Sequence, residues 1–417
     1  MAGAARTPRN SLERKAMFGI VCGSHLLNHF ESAMMGVLYP IMMKELSFGY
    51  TELGLITATH GMISHLLQAT YGFIVPRVKR AVILGLGNIT LGLSVVATGF
   101  APSYRFVLLT RLLGGIGSSP QHPVGSTMLA TYYGETRGRV LAFHVIAGNL
   151  GTLLAPVLAG VLLPYIGWRN LFWIVGIPSV LMGITYFLFS DILRPAPEHG
   201  EKSGLAYKGW EAYKKCLQNR NILLISLVLM AGAAGRGQGV NVTYLVSHFV
   251  NDLKVDVTYA AFLFTVLQVG GLVGPIIWGW ASDRFNRAYT IQASLVLSAL
   301  ATLWLGWQTS ATSWLLVNLL LYGTVVTSRQ TLTQALLSDI AEEKVLDAAF
   351  SLYYFIGFIS APLWTLITGW IMDRFGFGYA FTVISTSYLL GMIFLFFLRQ
   401  PAKHTVAEKS VDLEDVQ

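Results

Sequence analysis

The chain has 417 residues, 54% of them hydrophobic and 12% charged, with a mean hydropathy of +0.57. Soluble domains carry about a quarter charged residues, so a soluble fold of this composition would expose more apolar surface than water tolerates. Disordered, disulfide-scaffold and nucleic-acid-binding classes are excluded with it, and the net charge of +8 becomes a question of where the basic residues lie relative to a membrane.

A spanning helix takes roughly 20 mostly apolar residues. Apolar windows mark twelve spans, at 17–43, 51–75, 81–101, 104–133, 140–164, 170–189, 221–250, 256–280, 288–308, 313–337, 348–371 and 378–398. The expected fold is an all-α polytopic membrane protein with two pseudo-symmetric six-helix bundles, 17–189 and 221–398. Around them lie an N-tail (1–16), a linker (190–220) and a C-tail (399–417). The N-tail is polar and basic, and the apolar run after it is interrupted by His25, Asn28, His29 and Glu31, which is unlike a cleaved signal peptide. With both tails and the linker in the cytoplasm, 21 of the 29 Lys and Arg fall on that side. Five (Lys44, Arg105, Arg169, Lys254 and Arg374) fall on the other, a strong positive-inside bias. A multi-pass protein of the cell membrane is expected, bacterial inner membrane by type and monomeric. Tyr207, Trp210 and Tyr213 among the linker lysines read as an interfacial segment. Cys22 and Cys216 sit in different layers and cannot pair.

Four charged side chains fall inside spans: Glu31 in span 1, Arg111 in span 4, Arg236 in span 7 and Arg329 in span 10. A charge at bilayer depth is costly and marks function by default. Three arginines against one glutamate leave excess positive charge, which an anionic substrate would balance. In span 2, Thr57, His60, Ser64, Gln68 and Tyr71 form one polar stripe at helical spacing, expected to line a cavity. In span 4, Pro120 and Pro123 bracket His122 and predict a kink. In span 7, four glycines surround Arg236 and Gln238 between Gly232 and Gly239, a stretch able to unwind. His25, His65 and His144 read as interhelical hydrogen-bonding residues. The pairs His25/His29 and His60/His65 have the look of histidine boxes of membrane di-iron or haem enzymes. However, none of the nine histidines adjoins another, so no metal or cofactor is expected and a His-ligated metalloenzyme stands only as an alternative. No nucleotide-binding loop is present to power a pump.

An internal repeat links the bundles. Gly72-x4-Arg77 returns as Gly279-x4-Arg284, Ala155-Pro156 as Ala361-Pro362, and Gly167-x4-Phe172 as Gly376-x4-Phe381, at offsets of about 207 residues. The same offset carries His29 onto Arg236 and His122 onto Arg329.

Gly279 followed by Asp283, Arg284 and Arg287 after span 8 resembles the loop motif of the major facilitator superfamily. Its first copy, Gly72 to Arg77, has Pro76 in place of the aspartate. Arg111-Leu-Leu-Gly114 resembles that superfamily's helix 4 motif, and Gly148 to Gly160 its helix 5 antiporter motif. The segment Gly115 to Ser126, with His122-Pro123, is similar to fosmidomycin-resistance-type members. The resemblance implies a secondary active transporter working by alternating access, and drug:proton antiport is the alternative it suggests. It further implies that Glu31 carries the proton with Arg111 as electrostatic partner. From the residues themselves, a small carboxylate or phosphonate is the expected substrate. Arg236 and Arg329 would bind it as fixed cations, with His29, His122, His60, Gln68, Tyr71, Gln238 and Asn28 as polar lining.

Overall fold

A computed structural model describes residues 11–68, 70–75, 77–133, 137–190, 210–235, 237–342 and 345–398. Both tails beyond these limits, residues 191–209 of the linker and Arg236 lie outside the described residues, as does the side chain of Gln238. Among the described residues the secondary structure is helical, with no strand.

Span 1 is one helix, Ser11–Leu46, with Pro40 inside it. Span 2 is Tyr50–Gln68 with the short Tyr71–Ile74 after it, and span 3 is Arg80–Thr98. Span 4 is broken into Tyr104–Ser118 and Gln121–Tyr132. The break falls where Pro120 has no N–H to give: Ser119 reaches back only three residues to Ile116 (3.4 Å), and Val124 restarts the ladder on Pro120 (2.9 Å). Spans 5 and 6 occupy Arg137–Leu188 and meet at a single non-helical residue, Gly167. Trp210–Gln218 follows the linker as a short helix that buries Ala212 and Cys216 and leaves Trp210 outward.

In the second half, span 7 is helical over Arg220–Ala231 and Val242–Asn251, with a tightened turn at Gly232–Gly235 and a widened one at Gly237–Asn241 between them. The glycine-rich segment is thus where the helix loses regular winding. Spans 8, 9 and 10 are Val257–Arg284, Arg287–Gly306 and Ser313–Ile340. Span 11 is Leu346–Ile359 plus Ala361–Phe375, and span 12 is Phe377–Phe396.

The repeat is visible in backbone angles. Gly167 joins spans 5 and 6 at φ 72°, ψ 164°, and Gly376 joins spans 11 and 12 at φ 88°, ψ 173°. That region is open essentially to glycine alone, so both copies keep the residue. Within each half, small residues let backbones touch. A Cβ on Gly92 would lie 2.6 Å from the Gly176 carbonyl in the first half, and one on Gly323 2.2 Å from the Leu267 carbonyl in the second.

Among the described residues, six helical stretches are long and apolar enough to cross a membrane on composition alone; they account for spans 3, 5–6, 8, 9, 11 and 12. Spans 1, 2, 4, 7 and 10 fall short, and these are the spans in whose sequence the charged residues and the polar stripe lie.

The hydrogen bonds found between the halves cluster at the end away from the tails. Asp373 of span 11 accepts the backbone N–H groups of Tyr50 (2.9 Å) and Thr51 (2.7 Å) and the Thr51 hydroxyl (2.5 Å). The Tyr50 hydroxyl donates to Asp252 (3.3 Å), and Thr258 to the Gly160 carbonyl (3.1 Å). Nearer the middle, spans 1 and 7 cross so closely that a Cβ on Gly36 would meet the Val242 carbonyl at 2.2 Å.

Candidate functional site

Span 1 presents two chemistries on two sides. His25 and His29 are four residues apart and share a face; Glu31, two residues further, points to a different neighbour. It is buried at 1% exposure, and Oε1 accepts a short hydrogen bond from the Ser179 hydroxyl of span 6. Arg111 of span 4 is also buried and near enough for its charge to act on Glu31. Among the described residues, however, no ion pair joins them, and Glu31 Oε2 and Arg111 Nε have no hydrogen-bond partner. The two groups that sequence places together are therefore neighbours without direct contact.

The imidazoles gather where spans 1, 4 and 5 meet. His25 lies 4.6 Å from His29 and 5.0 Å from His122 between ring centroids, and stacks on His144 at 3.9 Å. The break at Pro120 brings His122 into this group by starting a new helix at Gln121. Gln121 itself donates to Ser24 (2.7 Å), which bonds the Tyr186 hydroxyl (2.8 Å), pinning the broken helix to spans 1 and 6. Asn28 is half-buried one residue before His29.

The polar stripe of span 2 is engaged mostly by span 4. His60 and Ser64 approach Ser118 at 3.4 and 3.3 Å, Gln68 donates to Ser64 (3.3 Å), and the Tyr71 hydroxyl pairs with Ser119 (2.7 Å). A Cβ on Gly115 would lie 2.6 Å from the His60 carbonyl. Glycine at 115 draws the two helices together until the stripe serves as their interface.

In the second half Arg329 is 1% exposed. One Nη donates a short hydrogen bond to the Gly232 carbonyl at the break in span 7, and the guanidinium stands 4.9 Å from the Tyr388 ring centroid. Its Nε and other Nη have no hydrogen-bond partner among the described residues, and no carboxylate pairs with it there. Gly232 makes the arrangement possible, because a Cβ there would lie 2.4 Å from Nη1. At the loop after span 8, Arg287 bridges Asp283 (3.1 Å) and Asp339 (2.5 Å), tying spans 8, 9 and 10 together, while Arg284 lies over Trp280. Its first-half counterpart Arg77 is exposed, six residues past Tyr71, the last residue of the polar stripe, and two before Lys79.

The family model for the Major Facilitator Superfamily matches residues 21–237 and 233–414, one copy over each half. This chain is a major facilitator superfamily protein. Over 403 residues it is 24% identical to the fosmidomycin resistance protein of Escherichia coli (strain K12), covering 95% of this chain and 96% of that one. It is 26% identical over 340 residues to the gallate transporter of Pseudomonas putida, covering 74% of this chain and 75% of that one. Among solved structures it superposes with TM-score 0.75 and 17% identity on a bacterial homolog of the human lysosomal transporter Spinster, covering 94% of this chain and 96% of that one. These major facilitator relatives are membrane transporters, not enzymes, and the two-bundle, twelve-helix fold is theirs as well.

The sequence singles out Arg329, Glu31, His29 and His122 as functional, His144 only as an interhelical hydrogen-bonding residue and Gly232 only as part of a stretch able to unwind, and it does not mark Ser179 or Tyr388. The i, i+4 spacing of His25 and His29 was the one signal that could have raised His25. The partners from spans 6 and 12, Ser179 and Tyr388, carry no signal of their own in the sequence.

Proposed function

We propose that this major facilitator protein is a secondary active transporter of a small organic anion, a carboxylate or phosphonate, moved by alternating access between its halves. The observation that carries this reading is Arg329. A guanidinium held at 1% exposure with Nε and one Nη unengaged offers donors suited to the paired oxygens of a carboxylate or phosphonate. Relatives support the class: besides the gallate transporter, the matches include a 4-hydroxybenzoate transporter of Pseudomonas aeruginosa and a benzoate transport protein of Acinetobacter baylyi. Arg236, beside the Gly232–Gly235 turn, is the second cation of the proposal, with His29, His122, Asn28 and Gln238 as polar lining.

Proton coupling belongs to the same proposal, with Glu31 as carrier and Arg111 as the charge that biases it. Motion of span 6 or span 4 would change what Glu31 faces, and so its protonation. Both tails are placed in the cytoplasm on the Lys and Arg distribution. A phosphatase fusion at Pro197 that is active outside the cell would overturn that placement.

Efflux of a phosphonate drug in exchange for protons is the second reading, favoured by the fosmidomycin resistance protein matching over 95% of the chain. Flux in proteoliposomes separates the two. Uptake of labelled benzoate or gallate that is stimulated by an imposed pH gradient, and not competed by fosmidomycin, supports the first reading. Fosmidomycin counterflow without carboxylate flux supports the second.

A further inference from the structure

We propose that His25, His29 and His122 form a binding site for one divalent first-row transition-metal ion, of the Zn2+ or Co2+ type. One ring nitrogen from each of the three lies within 4.8 Å of the others. The three rings pack edge-to-face at 83°, 86° and 87°, with centroids 4.6, 5.0 and 5.5 Å apart. Ligand nitrogens on tetrahedral zinc sit ~3.3 Å apart, given bonds of 2.0–2.1 Å. Small side-chain rotations close the difference.

The protons are already placed for this role. His25 Nδ1 lies 2.7 Å from the carbonyl oxygen of His144. A carbonyl only accepts, so Nδ1 carries the hydrogen and the neutral ring keeps its lone pair on Nε2. That atom is buried, on a side chain 3% exposed, with no hydrogen-bond partner among the described residues. His29 is set the same way. The Thr152 hydroxyl donates to the Gly148 carbonyl (3.2 Å), so its oxygen accepts from His29 Nδ1 (3.3 Å) and leaves His29 Nε2 as the ligand atom. An outer hydrogen bond that fixes tautomer and ring orientation is what metal-ligating histidines use, and here both i, i+4 histidines of span 1 have one from span 5.

Span 5 also makes room. A Cβ on Gly148 would stand 2.8 Å from His25 Cε1 and 3.1 Å from His29 Cδ2, so glycine alone lets both rings lie against that helix. The donor set is imidazole only, since Glu31 is turned to Ser179. Such a set suits zinc, cobalt, nickel or copper over magnesium or calcium. The exposed third donor, His122, gives the ion a way in.

The test is Co2+ binding to the full-length, tag-free protein, stripped with chelator and monodisperse in detergent. One equivalent should bind with the visible ligand-field bands of a four- or five-coordinate ion, and Zn2+ should displace it. His29→Gln and His122→Gln should each weaken binding by about tenfold or more, and Thr152→Val, which keeps all three ligands, by about tenfold. His248→Gln, far from the cluster, should leave it unchanged. Melting curves of the metal-free variants, matching the parent, show that the fold is kept. Thr152→Val and His122→Gln carry the test if His29→Gln melts early. Absence of a bound equivalent in the parent, or binding that persists in the His29→Gln/His122→Gln double variant, overturns the proposal.

Discussion

The two halves share a scaffold and differ in the residue types they carry at positions related by the repeat. At positions related by the repeat, the first half has imidazoles (His29, His122) where the second has guanidiniums (Arg236, Arg329). The first-half pair belongs to a cluster with its hydrogen bonds directed outward to span 5. Arg329 instead leans on a broken helix and an aromatic ring, with two nitrogens unengaged. Scaffold positions behave the other way: Gly167 and Gly376 are the same residue with nearly the same angles. Backbone geometry holds a duplicated position to one residue type, whereas the positions proposed for cargo and coupling diverge.

The sharpest way to break this comparison is to neutralise Glu31, the one buried acid among the described residues. Glu31→Gln is expected to abolish accumulation driven by a pH gradient while sparing exchange of labelled for unlabelled anion, because exchange needs no net proton movement. Substrate concentration by the mutant under a pH gradient alone would remove Glu31 from the coupling role.

Next in size is the fixed cation. Arg329→Lys keeps charge but loses the planar fork, and binding measured in detergent should weaken by about tenfold or more, the equivalent of ~1.4 kcal/mol. Gly232→Ala should act in the same direction without touching a charge, by pushing a methyl into the guanidinium. His122→Gln should cost anion affinity only a few-fold. Equal losses at His122 and Arg329 would erase the proposed division of labour.

Scaffold substitutions should treat the halves alike. Gly167→Ala and Gly376→Ala each force a side chain into a region that costs about 1–3 kcal/mol, readable as similar drops in melting temperature. A loss confined to one of them would show that the two connections are not equivalent.

The smallest expected effect is at the closed end. Asp373 caps the first turn of span 2 across the interface between halves, and Asp373→Asn removes the charge while keeping an acceptor. The lost charge–dipole term of about 0.3–1 kcal/mol corresponds to a roughly two- to fivefold population shift toward the open far end. Spin-label distances between the far ends of spans 2 and 11 would report it.

Fold and family were legible because the membrane imposes its pattern one residue at a time. Apolar length, basic loops and the glycine and proline repeats need no knowledge of neighbours. Buried charges were legible for the same reason, as Glu31 and Arg329 stand out in any apolar window. Their partners were not. Ser179, His144 and Tyr388 become important only because spans 6, 5 and 12 deliver them, and a lone serine, histidine or tyrosine in a span is ordinary. The polar stripe of span 2 illustrates the converse. Helical spacing gives its face correctly, but Gly115, on another helix, decides that this face meets span 4.

The single-residue connections at Gly167 and Gly376 have a mechanical consequence. A loop of several residues absorbs strain between the helices it joins, whereas one glycine fixed by neighbours on both sides has no slack to give. Spans 5 and 6 therefore travel as one lever, and spans 11 and 12 as another. Any rocking of the halves must then be taken up where winding is already irregular: at Pro120 in span 4, between Gly232 and Gly239 in span 7, and at Ser360 in span 11. The first two of these yielding points include, in sequence, His122 and Arg236, so under the proposed function cargo binding and lever movement would act on the same few turns of helix.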